Sequence, residues 1–241
     1  MYRYKLTLSY EGTNYSGFQI QKNAITIEEK LVDALFVIHQ KEIKIISSGR
    51  TDKGVHAYGM VCHFNSDLDL SDYRFTKALN TYLPSDIKVL SVLKTKEDFH
   101  ARYDAKSKTY QYRITKKYDL FNRNFEKYIP EKLDLKTMKI AAQKFIGKHD
   151  FFAFASYIKG KPTIKEITEI KIEENADKIY ITISGNAFLR YMVRRMVGTL
   201  VEIGKDQKDV TVIDKIFATN DKSLVGKTIS PEGLYLMKVV Y

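Results

Sequence analysis

The chain has 241 residues, 44% hydrophobic and 12% aromatic, which is enough for one large domain or two of ordinary size. Its formal charge of +11 points to a polyanionic partner, nucleic acid first. A single cysteine, Cys62, excludes an intrachain disulfide framework and a cysteine-rich zinc site, and the five scattered histidines show no HxxxH pairing. No basic N-terminal start runs into an apolar stretch, and no segment reaches membrane-spanning length, so a soluble cytoplasmic protein with no membrane partner is expected. The charge is uneven. Residues 1–103 hold 14 Lys and Arg against 12 Asp and Glu, a net of +2, whereas residues 104–241 hold 26 against 17, a net of +9.

Residues 4–10 alternate with period two and read as a strand. A turn over residues 11–14 leads into Tyr15-Ser16-Gly17-Phe18-Gln19-Ile20-Gln21, where Phe18 reads as an aromatic at the edge of the core. Thr26 with Glu29 three residues on is the reciprocal capping-box pattern. Behind it Ile27, Leu31, Ala34, Leu35 and Ile38 recur at helical spacing. Residues 43–46 and 60–64 read as two strands, followed by a helix over 73–82, a break at Leu83-Pro84-Ser85-Asp86 and a strand over 87–93. That order, β-α-β-β-α-β, is a ferredoxin-like unit.

Between the second and third strands lies Ser47-Ser48-Gly49-Arg50-Thr51-Asp52-Lys53-Gly54-Val55-His56-Ala57, a polar tip with glycine at both shoulders. Glycine lets the backbone turn there and approach a ligand closely. Arg50 and Asp52 stand one residue apart on this tip. A cation that keeps a carboxylate ionised and oriented, on a loop between rigid strands, suits catalysis. Thr-Asp-Lys-Gly is also an ordinary turn, with the Asp bonding its own backbone. Composition alone favours the turn.

Phe99-His100-Ala101-Arg102-Tyr103 closes a first domain expected to span residues 1–103, and His100 reads there as a capping or phosphate-contacting group. The second domain, residues 104–241, opens on a strand over 105–116 with Tyr110, Tyr112 and Ile114 on one buried face. Residues 117–133 read as a mobile basic excursion, and 135–146 as a helix closed by Gly147. After a Lys159-Gly160-Lys161-Pro162 loop come strands over 164–173 and 178–184. A helix over 188–203 buries Leu189, Met192, Val193, Met196, Val197 and Leu200. At about 100° per residue, Arg190 and Arg194 share one flank of it and Arg195 takes the other. A short helix over 210–218 and a strand over Leu234–Val240 end the chain. The expected fold class is α+β: two ferredoxin-like α/β units with antiparallel sheets joined edge to edge around a basic cleft.

Gly49-Arg50-Thr51-Asp52-x-Gly54-Val55-His56-Ala57 resembles the active-site signature of the tRNA pseudouridine synthase A family. The resemblance runs through the Tyr15–Gln21 loop, the Phe99–Arg102 run, Lys106-Ser107-Lys108-Thr109-Tyr110-Gln111-Tyr112, Gly185-Asn186-Ala187-Phe188-Leu189-x-x-Met192-Val193-Arg194 and Ser230-Pro231-Glu232-Gly233-Leu234-Tyr235-Leu236. It implies that Asp52 is the catalytic nucleophile or base, that Tyr110 is the active-site tyrosine, and that Arg194 reaches Asp52. A desolvated cleft would raise that carboxylate's pKa, and a neighbouring guanidinium lowers it. Arg50, Arg102 and Tyr110 are the expected substrate-binding residues. The implied reaction is isomerisation of uridine to pseudouridine in the anticodon arm of tRNA, by a homodimer, with no metal, nucleotide or other cofactor. Phe18 stands where Trp is usual, Met60 where Gln is common, and Ser230 replaces the first of two paired prolines; none of these removes a catalytic group. Ribosomal RNA is an alternative substrate. A silent RNA-binding protein would not need Asp52, Tyr110 and Arg194 together, and a metal-dependent nuclease would need carboxylates or histidines clustered near Asp52.

Overall fold

The computed structural model describes residues 1–156, 160 and 162–241, so Lys159 and Lys161 of the expected loop lie outside the described residues. The chain divides into two compact units. One comprises Met1–Lys106 with Tyr235–Tyr241, the other Ser107–Leu234.

The first unit begins with strand β1 (Tyr2–Tyr10), in which Tyr4, Leu6, Leu8 and Tyr10 are buried in strict alternation. Helix α1 (Ile27–His39) starts where the capping box placed it: Thr26 accepts from the Glu29 N–H, and Glu29 reaches back to the Thr26 N–H. Its core face is Ile27, Leu31, Ala34 and Leu35. Strands β2 (Ile45–Ser47) and β3 (His56–Ser66), helix α2 (Asp72–Tyr82, capped by Ser71) and strand β4 (Ile87–Thr95) follow in ferredoxin-like order. β4, β1 and β3 pair antiparallel in that sequence, and β2 lies along the far edge of β3 with Ile45 opposite Phe64. The chain's last strand, Leu234–Val240, returns parallel to the start of β3, with Tyr235 opposite His56 and Leu236 opposite Ala57. β3 therefore begins four residues before the expected position 60. Its first residues pair with β1 and with this distant C-terminal segment. Tyr4, Phe64 and Phe75 pack edge and face in the core.

The second unit contains β5 (Ser107–Thr115), β6 (Lys127–Tyr128), α3 (Leu135–Gln143), β7 (Gly147–Asp150), β8 (Ile164–Asn175), β9 (Lys178–Gly185), α4 (Met192–Gly204) and α5 (Val212–Thr219). Its strands run β5-β9-β8-β7, all antiparallel, and β6 adds to β5 in parallel. Met192, Val193, Met196, Val197 and Leu200 form the buried face of α4 as the sequence predicts, whereas Leu189, expected with them, precedes the helix and is half-buried. Phe145, Phe151, Phe154 and Phe217 form a second aromatic cluster.

Three expectations need correction here. The α3 helix stops at Gln143; Gly147 has the left-handed φ of 103° but opens β7 opposite Ile167 rather than capping the helix. Residues 117–133 are not a loose excursion: they contribute β6, bury Glu126, Ile129 and Leu133, and pair Glu126 with Lys178 at 2.9 Å. α4 begins at Met192, not 188, because Tyr191 holds φ 66° and breaks the helical path. Arg190 therefore precedes the helix and shares no helical flank with Arg194. Among the described residues, no helix is long and apolar enough to cross a membrane.

Candidate active site

The tip that carries Asp52 is fixed by backbone contacts on both sides. The Ser48 N–H donates to the Val61 carbonyl at 2.8 Å, the last rung before the chain leaves the sheet. The Val55 N–H then donates to the Asp52 carbonyl at 3.1 Å, closing the turn, with Gly54 at φ 77°. The loop after β1 clamps this turn: Phe18 N–H donates to Thr51 O at 3.1 Å, and Gly54 N–H to Tyr15 O at 3.4 Å. Beneath them the hydroxyls of Tyr10 and Thr51 meet at 2.9 Å in a buried bond. The Gly12 N–H donates to His56 Nδ1 at 3.0 Å. A Cβ on Gly12 would lie 2.1 Å from Val55 O, and one on Gly17, at φ 98°, 2.7 Å from Thr51 O. Both glycines are required because two backbones touch there. The result is a rigid tip on which Asp52 is half-buried and Arg50 exposed.

Several supporting residues escaped the sequence reading. His56 is buried, binds Gly12 and stacks on Tyr235 at 4.7 Å. Phe18, expected at the edge of the core, has no exposed surface. The signal for Gly12 and Gly17 was available, since two glycines in one short loop mark a close approach. His56 carried no such signal. Arg102 is exposed on a turn fastened to the other end of β3, where the Ala101 N–H donates to His63 Nδ1 at 3.0 Å. His56 and His63 are seven residues apart on that strand, on the order of 20 Å.

In the second unit, Tyr110 sits on β5 opposite Ile183 of β9 and is 8% exposed. Its ring meets Phe188 edge-on at 5.1 Å. The strand with Tyr110 and the segment leading to Arg194 thus share a contact. A Cβ on Gly185 would clash with Glu166 O at 2.6 Å, so the glycine lets the end of β9 lie close against β8. Arg194 Nε donates to the Ile229 carbonyl at 2.7 Å. Tyr112 is fully buried and donates its hydroxyl to Ser230 O at 2.7 Å. Burial, with the Glu232 carboxylate second, pushes the Tyr112 phenol above its ordinary range and makes it a structural donor rather than a base. The segment over residues 229–230 therefore holds Arg194 and Tyr112, a role the sequence reading missed.

Arg195 is not an idle residue on the opposite flank. Its Nη1 donates to Ala155 O at 2.8 Å and Ala153 O at 3.4 Å, and its Nε to Thr228 Oγ1 at 3.3 Å. Among the described residues, no three His, Cys, Asp or Glu side chains group in a way that could hold a metal ion. The Cys62 thiol is buried and its pKa is pushed up by that burial, which leaves it unreactive.

A family model described as tRNA pseudouridine synthase matches residues 7–104 and 141–241, which include the Asp52 tip and the Arg194 helix; Tyr110 falls between the matched segments. The chain belongs to the tRNA pseudouridine synthase family, a family of isomerases. Curated relatives match it from end to end. A tRNA pseudouridine synthase A of Listeria welshimeri is 41% identical over 249 residues, covering 100% of both chains. One from Exiguobacterium sp. is 39% identical over 242 residues, covering 100% of this chain and 98% of the relative. A tRNA pseudouridine synthase A 1 of Bacillus cereus is 40% identical over 245 residues, covering 100% and 99%. Among solved structures, a crystal structure of a Cbf5-Nop10-Gar1 complex aligns with a TM-score of 0.39 at 11% identity, covering 96% of this chain and 57% of that one.

Proposed function

We propose that this tRNA pseudouridine synthase acts on uridines of the anticodon arm, with Asp52 as its catalytic carboxylate and Tyr110 and Arg194 serving the same uridine. The reaction breaks the bond from C1′ to N1 of uracil, turns the base and forms a bond from C1′ to C5. N1 gains a proton and C5 loses one to water, so there is no net redox change. One ionised carboxylate suffices, either attacking the sugar or taking a proton from it. Arg194 would keep that carboxylate ionised, and the Tyr110 ring would pack on the base with its hydroxyl near the reacting carbons. Extruding the uridine from its stack costs a few kcal/mol, and Arg50, exposed beside Asp52, would fill the vacated space or hold a phosphate. The family resemblance also supports a homodimer working in the cytoplasm.

The observation that carries this reading is the Asp52 tip. It lies inside the family match, and its backbone is clamped at Thr51, Asp52 and Gly54 so that one half-buried carboxylate is presented. The test is Asp52→Asn, which keeps the shape but removes the nucleophile and base. Tritium release from 5-tritiated uridine in tRNA should fall below detection while tRNA affinity stays within about twofold. Substantial release by the variant would remove Asp52 from the chemistry. Mapping pseudouridines in RNA from cells with and without the gene would identify the arm, and loss confined to ribosomal RNA would redirect the substrate.

A further inference from the structure

The Phe99–Asp104 turn is built with more care than a connection between units requires. The His100 N–H donates to Asp104 Oδ2 at 2.7 Å, and the Asp104 N–H to the His100 carbonyl at 3.0 Å. The N–H groups of Arg102 and Tyr103 both donate to His100 Nδ1 at 3.2 Å, so Nδ1 is the accepting nitrogen of that ring. Ala101 is fully buried between two further bonds: its N–H donates to His63 Nδ1 at 3.0 Å, and its carbonyl accepts from the Tyr241 hydroxyl at 2.7 Å. Arg3 Nη1 holds the Phe99 carbonyl at 3.0 Å. Burial first, then the charge of Arg3, lowers the His63 pKa to about 4, so His63 remains a neutral acceptor at physiological pH.

On this rigid turn stands an aromatic ring that the fold does not use. Tyr103 is 76% exposed. One of its faces lies on the His100 imidazole, with ring centroids 4.2 Å apart and planes 26° apart. The Arg102 guanidinium is 5.8 Å from the ring centre. A pre-ordered, largely exposed ring backed by an imidazole, with a guanidinium over it, is the kind of group on which proteins hold an unpaired nucleobase. Bases inside a duplex have both faces occupied and gain nothing from such a ring.

We propose that Tyr103, supported by His100 and flanked by Arg102, is a stacking platform for an unpaired base of the RNA substrate, a contact separate from the reacting uridine. This rests on the reading that the substrate is tRNA. Because Ala101 is fastened at His63 and the Asp52 tip leads into His56, the platform would engage a part of the RNA other than the target nucleotide. Its contribution is to binding and not to the chemical step.

The chain contains no tryptophan, so Tyr103→Trp introduces the sole indole and reports directly on stacking. Unmodified tRNA transcript should quench its fluorescence, and a fully paired RNA duplex should not. Tyr103→Ala should weaken tRNA binding about tenfold, the range for loss of one base stack, while the single-turnover rate at saturating tRNA stays within twofold of wild type. Tyr103→Phe should restore binding, since the ring and not the hydroxyl does the stacking. Absence of quenching, equal quenching by the duplex, or wild-type affinity in Tyr103→Ala would each overturn the platform. Should Tyr103→Ala fold poorly, the Trp and Phe variants keep a ring on the turn and still decide the question. Asp52→Asn assayed alongside separates the two ideas: an active Asp52→Asn defeats the catalytic reading, whereas an inactive one with unquenched Tyr103→Trp defeats the platform alone.

Discussion

Arg194 and Arg195 adjoin on α4, carry the same charge and have different work. Arg194 gives one nitrogen to the Ile229 carbonyl. If its remaining nitrogens engage a carboxylate as a planar fork, lysine cannot replace it, because an ammonium is a point charge without that geometry. Arg194→Lys should therefore cut single-turnover rate at least tenfold with little change in tRNA affinity. Arg195 instead ties Ala153, Ala155 and Thr228 to the helix. Arg195→Lys forfeits most of those bonds, at roughly 1–2 kcal/mol, and should lower the melting temperature by a few degrees while the rate at saturating substrate stays near wild type. Equal, affinity-only effects at both positions would return Arg194 to the basic surface. Three residues before Arg194, Tyr191 has its ring centre 4.8, 5.5 and 6.0 Å from the guanidiniums of Arg190, Arg194 and Arg195. Its φ of 66° is costly for a bulky side chain, and such strain persists only where the surroundings demand it.

At the scale of elements, the catalytic tip is as much a property of the loop after β1 as of the hairpin itself. Gly17 gives a direct test of this coupling, because a Cβ there would meet Thr51 O at 2.7 Å and lie 3.3 Å from the Asp52 carbonyl carbon. Its φ of 98° adds a conformational penalty of about 1–2 kcal/mol for any side chain. Gly17→Ala should destabilise the protein in urea unfolding and also displace the tip, lowering the single-turnover rate at least tenfold at saturating tRNA. A variant that loses stability yet turns over at the wild-type rate would show that the tip keeps its position without the clamp. The sequence makes α1 plain because its capping box and buried stripe are local. It misplaces the start of α4 by four residues because the apolar spacing continues through Phe188 and Leu189 while the backbone at Tyr191 does not.

For the whole molecule, the return of the last strand is the consequential feature. Tyr235 stacks on His56, which holds Gly12, and the Tyr241 hydroxyl holds the Ala101 carbonyl. Two loops of the first unit thus depend on the final seven residues of the chain. Deleting Tyr235–Tyr241 should expose the edge of β3 at its active-site end. Hydrogen exchange should then rise in peptides covering residues 11–18 and 48–61, while the β8–β9 hairpin keeps its protection. Unchanged exchange around His56 would mean that the strand adds nothing to the tip.

The sequence by itself determined whatever is written in near neighbours: the alternation of β1, the capped α1, the β8–β9 pair, the buried stripe of α4 and the long signature around Asp52. Each depends on contacts within a few residues, so composition and spacing suffice to read it. Only the tertiary structure decided that β3 starts at His56, that the C-terminal strand pairs beside it, that Gly147 opens a strand, and that Arg195 serves as an anchor. Those outcomes turn on partners far apart in sequence, Tyr235 with His56, Gly147 with Ile167, Arg195 with Ala155, and no local pattern encodes which distant backbone will arrive to supply the hydrogen bond.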